Sequence, residues 1–271
     1  MFVIDTIIHR LRRGCETMAY PKGPAPALPD RHGGALKVDA SKCADGCTAC
    51  VPVCPTQAIT RPNGKPVALD LGRCIFCAAC VEACPTKAIT QTGDHRMAVS
   101  RREDLVLGES GKEHVRLAVA LNEQLRKLFG RSLRLRQVSA GGCAACEADT
   151  NVLGTIGWDL GRFGIQFVAA PRHADGLLIT GPVSKNMELA LKKTYDAVAA
   201  PKIVIAVGAC AIAGGPFIGH PQHNQGASPV VPVDLFIPGC PPHPLTILDG
   251  LLRLLDRLEK PPRRESFHSN S

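Results

Sequence analysis

Cys74, Cys77, Cys80 and Cys84, with Pro85 directly after the last, carry the spacing C-x2-C-x2-C-x3-C-P. Three thiolates on one tight loop can cap three corners of an iron–sulfur cubane, and the fourth corner needs a cysteine from elsewhere. A near copy precedes this run: Cys43, Cys47, Cys50, Cys54 and Pro55, with one extra residue in its first gap and the tail CPTQAIT against CPTKAIT. A further pair, Cys143 and Cys146, lies in VSAGGCAACEADT, where glycine and alanine leave little to pack and only half of a metal site is in view.

The duplicated run is that of bacterial two-cluster ferredoxins, in which the fourth cysteine of each run serves the other cluster. This assigns Cys43, Cys47, Cys50 and Cys84 to cluster 1, and Cys74, Cys77, Cys80 and Cys54 to cluster 2. A pair of zinc knuckles is the competing reading, but the Cys-Pro endings and the duplication fit clusters and lack zinc spacing. A region this small has too little apolar surface to hold itself together, so the clusters are expected to act as its core.

Thirteen cysteines in 271 residues could also be a disulfide framework, yet nothing at the N-terminus reads as a secretory signal, and metal ligation in a reducing cytoplasm is the better fit. The opening MFVIDTIIHRLRRG is too short for a membrane span and reads as an amphipathic helix, with Phe2, Ile4, Ile7, Ile8 and Leu11 at helical spacing. Such a segment can lie on an anionic membrane, on a partner, or on the chain's own body. The formal net charge of +8 suggests nucleic acid or an acidic partner. Three cubanes at roughly two negative charges each would bring it to about +2. The basic segment RKLFGRSLRLRQ alternates with Leu133 and Leu135 like the wet face of a strand, so a nucleic-acid partner is not expected.

Beyond about residue 100 the elements that must position the third pair come into view. The charged REDLVLGESGKE is followed by a helical pattern over 115–129, with Leu117, Leu121, Leu125 and Leu128 on one face. Strands are expected at 133–138, 164–169, 176–180, 203–207 and 231–237, with helices near 184–199 and 245–258. This alternation predicts a doubly wound, flavodoxin-like parallel sheet after an α+β two-cluster ferredoxin domain. Ligands gather beyond the carboxyl ends of such strands. Cys143 and Cys146 follow the first strand, Cys210 follows KIVIAVGA, and Cys240 follows VDLFIPG, so these four make a third cubane site, with a four-thiolate zinc as the alternative. Cys15 is left over. Arg172 and His173 in PRHAD are expected at a strand end near the ligand edge, where an arginine could tune the cluster; an Arg-Asp pair pinning a loop is the plainer reading.

The expected division is an arm with the amphipathic helix at 1–35, the ferredoxin domain at 36–100, a linker and helix at 101–130, the third-cluster domain at 131–260, and a disordered tail at 261–271.

The stretches GCAACE, RFGIQFVAAPRHADGLLITGPV, VGAC and PGCPP resemble the small subunit of group 4, energy-converting [NiFe] hydrogenases of the formate hydrogenlyase type, a family related to the complex I subunit that carries the terminal [4Fe-4S] cluster. The N-terminal part resembles the ferredoxin-like subunit of the same complexes, so two usually separate polypeptides appear as one. The complex I relative has adjacent cysteines at its first ligand position, whereas this chain has C-x-x-C, which favours the hydrogenase side. The resemblance implies a relay through three [4Fe-4S] clusters in an oxidoreductase complex, cytoplasmic and peripheral on the inner face of the cell membrane. It implies as partners a hydrogenase-type large subunit, membrane subunits, and an electron-donor dehydrogenase or ferredoxin. The nickel–iron centre belongs to the large subunit, so this chain alone is not expected to turn over hydrogen. A nickel-free, complex I-like quinone oxidoreductase is the alternative setting. Glu147 next to Cys146 could carry protons at that interface, or simply satisfy a helix start.

Overall fold

The computed structural model describes residues 2–61, 67–108, 113–130 and 132–258. The tail expected at 261–271 lies outside the described residues. The chain opens with α1 (Phe2–Arg13), after which Met18 N donates to Gly157 O and ties the arm to the body.

The duplicated cysteine runs sit in a small region of paired short strands. These are β1 (Leu36–Val38), β2 (Ile59–Thr60) and β3 (Ala68–Asp70), then the one-turn α2 (Ala79–Glu82), β4 (Ile89–Gln91) and β5 (Val106–Leu107). β1 pairs with β4, and β2 with β3, both antiparallel. The repeated tails produce a repeated geometry: Asp70 N donates to Ala58 O, and Asp39 N to Ala88 O. β5 joins β3, so this sheet continues into the stretch read from the sequence as linker.

The helix expected over 115–129 is confined to α3 (Glu123–Phe129), capped by Asn122, whose side chain accepts from Leu125 N. The preceding residues run non-helically because their amides are used elsewhere: Ala118 N donates to Ala98 O and Leu121 N to Leu254 O. Tertiary pairing outweighs a leucine period here, and Leu128, expected on the buried face, is exposed.

The second half alternates strands and helices in the expected order: β6 (Leu133–Ser139), α4 (Ala145–Val152), β7 (Ile165–Phe167), β8 (Gly176–Thr180), α5 (Lys185–Ala197), β9 (Ile203–Val207), α6 (Ala209–Ala213), β10 (Leu235–Ile237) and α7 (Pro244–Leu254). All pairings in this sheet are parallel, in the order β10-β9-β8-β6-β7. Counted within the sheet, that is the 2-1-3-4-5 order of flavodoxin-like folds, with its switch point between β6 and β8. β8 and β9 are buried along their whole length, as strands covered on both faces must be.

The two regions share a core. Ala206, Phe236 and the α6 residues Ala211 and Ile212 pack with Leu69, Leu71, Leu105 and Leu107 of the cysteine-rich region. Val99 and Phe236 exchange backbone hydrogen bonds across the same seam.

Candidate cluster sites

Two small cavities lie in the N-terminal region. Cys43, Cys47, Cys50 and Cys84 line one of them. Cys74, Cys77, Cys80 and Cys54 line the other. The chain thus brings the last cysteine of each run across to the first three of the other. The two crossing cysteines are held alike: Ala58 N donates to Cys54 Sγ at 3.2 Å, and Ala88 N to Cys84 Sγ at 3.2 Å.

Arg61, which carried no signal in the sequence, reaches the loop of the first group. Its Nη1 donates to Cys43 Sγ at 3.3 Å and to the Ala44 and Cys47 carbonyls at 3.1 and 2.6 Å. In the second, Phe76 N donates to Cys74 Sγ at 3.3 Å. Such donors favour sulfur carrying negative charge.

The sheet builds the third group. Its register sets Ser139 beside Thr180, Thr180 beside Val207, and Val207 beside Ile237, one row along the carboxyl edge. Cys143, Cys210 and Cys240 come a few residues beyond that row, and Cys146 lies in the first turn of α4. The backbones come close: a Cβ on Gly208 would stand 2.5 Å from Cys146 Sγ, and Gly208 has φ +90°, so glycine is required there on both counts. Cys143 and Cys240 are exposed, while Cys146 and Cys210 are half-buried.

Burial and the neighbouring thiols make Cys146, Cys210 and Cys240 reluctant to ionise unaided. Burial, then the neighbouring Cys210, Glu147, Cys240 and Cys143, pushes Cys146 up to about 12. Burial followed by Cys240, Cys143 and Glu147 does the same for Cys210, also to about 12. Burial alone dominates at Cys74, pushed to about 12, and at Cys80, pushed to about 11. Cys84 goes the other way: burial raises it, but hydrogen bonds from Ile89, Ala88 and Thr86 outweigh that and lower it.

A group of cationic iron atoms would supply the missing counter-charge. A tetrahedral zinc draws four thiolates to about 3.8 Å from one another around one point. Among the described residues no group of three or more His, Cys, Asp or Glu side chains is gathered so as to hold a single metal ion.

Glu147 sits at the switch point. Its Oε1 accepts from Ser139 Oγ at 2.5 Å and from Thr180 Oγ1 at 2.6 Å, the terminal residues of β6 and β8. Burial raises its pKa, but these two bonds more than offset it, leaving the carboxyl below its ordinary range. It is a carboxylate anchored to two strand ends from the first turn of α4.

Arg172 and His173 are not beside these cysteines. They form a short 3-10 turn at the amino end of β8, and the next residue but one, Asp175, binds the start of β6 through Arg134 N at 2.7 Å. The length of β8, roughly 16 Å, separates them from the carboxyl edge. The PRHAD segment enters a strand instead of leaving one, so the expected role beside the third cluster is withdrawn. Asp175 does pin the strand start, but to the β6 backbone and not to an arginine side chain.

The fold and the three cysteine groups define an iron–sulfur electron-transfer subunit of an oxidoreductase complex. Residues 143–254 match the family model for NADH ubiquinone oxidoreductase, 20 Kd subunit, and residues 42–89 match a 4Fe-4S dicluster domain. A probable membrane-bound hydrogenase subunit of Pyrococcus furiosus is 42% identical over 51% of this chain and 82% of its own length. An NADH-quinone oxidoreductase subunit of Desulfovibrio desulfuricans is 42% identical over 46% of this chain and 68% of its own. The chain belongs to the NADH ubiquinone oxidoreductase 20 kDa subunit family, with a 4Fe-4S dicluster region ahead of the family domain. Among solved structures, a chain of the membrane-bound sulfane sulfur reductase, an archaeal respiratory membrane complex, is 31% identical, with a TM-score of 0.44 over 51% of this chain and 77% of that one.

Proposed function

We propose that the chain relays electrons through three [4Fe-4S] clusters between an external donor and the large subunit of a membrane-associated, energy-converting [NiFe] hydrogenase of the formate hydrogenlyase type. The carrying observation is the gathering of twelve cysteines into three groups of four, each drawn from segments distant in the sequence. Cys43, Cys47, Cys50 and Cys84 hold cluster 1; Cys74, Cys77, Cys80 and Cys54 hold cluster 2; Cys143, Cys146, Cys210 and Cys240 hold cluster 3. When bound, such clusters supply reversible one-electron storage. The protein's part is to bury Cys50, Cys74 and Cys80 of the first two groups in the shared core and to leave Cys143 and Cys240 of the third exposed, where a large subunit would meet them. Glu147 holds its negative charge beside that face.

The C-x-x-C at Cys143 and Cys146 and the likeness to the Pyrococcus furiosus hydrogenase subunit support the hydrogenase setting. Its partners would then be that large subunit, the membrane subunits, and a donor dehydrogenase or ferredoxin, with the chain on the inner face of the cell membrane. The ferredoxin unit spans 36–107 in this reading, since β5 belongs to its sheet, and the third-cluster unit spans 131–260. A second reading, a nickel-free quinone oxidoreductase, is favoured by NADH-quinone oxidoreductase subunits that are equally similar to this chain.

Chain purified without oxygen should carry about twelve irons, and Cys240→Ala about eight. A wild-type value near eight would remove the third cluster from the relay. Nickel and hydrogen-dependent dye reduction in the co-purified large subunit would support the first setting; quinone reduction without nickel would replace it with the second.

A further inference from the structure

The apolar side of α1 is exposed along its length among the described residues. Every side chain from Val3 to Arg13 is exposed, including Val3 at 71% and Leu11 at 78%. At about 100° per residue, Val3, Ile4, Ile7, Ile8 and Leu11 form a stripe about 140° wide. Arg10 and Arg12 fall on its two borders, while Asp5, His9 and Arg13 occupy the opposite side. A twelve-residue helix without tertiary support is marginal in water, so an amphipathic one is stabilised by whatever its apolar face covers.

We propose that α1 docks on the surface of an anionic lipid bilayer, lying in the interface plane with its aliphatic stripe among the acyl chains and its arginines among the headgroups. Charge chooses this occupant: three arginines against one aspartate on the helix, with two at the apolar border, where long cationic side chains reach phosphate while their stems stay in hydrocarbon. A second apolar element adjoins the helix root. Ile156 is 73% exposed, and its carbonyl accepts from Thr17 Oγ1 at 3.1 Å, just past the end of α1. The loop holding Ile156 follows α4, the helix that carries Cys146 in its first turn. Docking would therefore set the third cysteine group at a defined height above the bilayer. The inference goes beyond the electron relay and does not depend on the acceptor.

The test is flotation of the full-length, cluster-loaded chain with phosphatidylcholine vesicles, with and without phosphatidylglycerol. Binding is expected with the anionic vesicles, weaker at high salt. Arg10→Gln with Arg12→Gln should weaken it about fivefold per arginine, and Ile4→Asp with Ile8→Asp should abolish it. Iron content and visible spectrum should stay unchanged in both variants, because these side chains are exposed in the free chain. Absence of binding, or binding that survives the Ile4 and Ile8 changes, overturns the proposal. So does lipid-free dimerisation that the same changes abolish, which gives the stripe to a second copy. Capture by another subunit of the complex with no affinity for vesicles gives it to a protein partner and also overturns the proposal.

Discussion

Arg61 shows how much one side chain can set at a cluster site. Its guanidinium reaches Cys43 Sγ at 3.3 Å and two carbonyls of the same loop, placing a positive charge where an arriving electron would reside. Arg61→Gln should lower the midpoint potential of cluster 1 by roughly 40 mV, the one-electron equivalent of about 1 kcal/mol of hydrogen bonding. A redox titration followed by electron paramagnetic resonance reads this, with clusters 2 and 3 as internal controls; an unmoved cluster 1 would mean that the contact does not reach the cluster. Another residue-scale feature is backbone. Ala78 and Ala144, each just after the first cysteine of a C-x-x-C pair, have φ of +63° and +67°, and each starts a helix from there. Ala144→Gly should therefore be accepted with full iron content and a gain of up to about 1 kcal/mol, whereas Ala144→Val should lose the third cluster.

At the scale of elements, the joints between the arm, the cysteine-rich region and α7 are held by groups with no motif. Tyr20 Oη donates to Asp249 Oδ1 at 2.9 Å, and Arg253 Nε donates to Asp249 Oδ2 at 2.6 Å from the next turn of α7. Tyr20→Phe removes a buried bond to a charged acceptor and should cost about 1.5–3 kcal/mol in anaerobic denaturation of the holo-chain. His32, His95 and His243 meet nearby, with the His32 and His243 rings 5.3 Å apart at a steep angle. Burial depresses all three, and the other two histidines add to this at His243. The folded chain therefore keeps them neutral below their ordinary value near 6.5, where the unfolded chain takes up protons. Their contribution to stability is complete above that value and is lost as pH falls through the depressed folded values. The denaturation midpoint should drop between about pH 7.5 and about pH 5.5, and His32→Gln should flatten that drop.

For the whole molecule, the shared core decides how the chain responds to loss of metal. The cysteine-rich region leans on Ala206, Phe236 and α6, but eight cysteines line two cavities within it, and burial raises the pKa of Cys50, Cys74 and Cys80 among them. Anaerobic chelation should unfold 36–107 first, seen as fast hydrogen exchange, while β8 and β9 stay protected. Uniform loss of protection would mean that the two regions unfold as one. Among the described residues no helix is long and apolar enough to cross a membrane.

Much of this was legible in the chain itself. A cubane needs thiolates at short spacing on one loop, so the C-x2-C-x2-C-x3-C-P run and its copy declare their chemistry locally, and buried parallel strands declare themselves as unbroken apolar runs such as IVIAV. Local spacing and the strand ends together assign twelve cysteines to three groups, an assignment that the iron content of the chain tests. The remainder depended on partners distant in the sequence. Whether 115–122 is helical was decided by carbonyls at Ala98 and Leu254, Arg61 found Cys43 only through the fold of its loop, and PRHAD fell at the amino end of β8 because of where the crossover from β7 enters the sheet. Spacing carries information over a few residues because the chain's geometry is fixed at that range. Which strand end a loop reaches, and which amide a carbonyl meets, are set only when the sheet assembles.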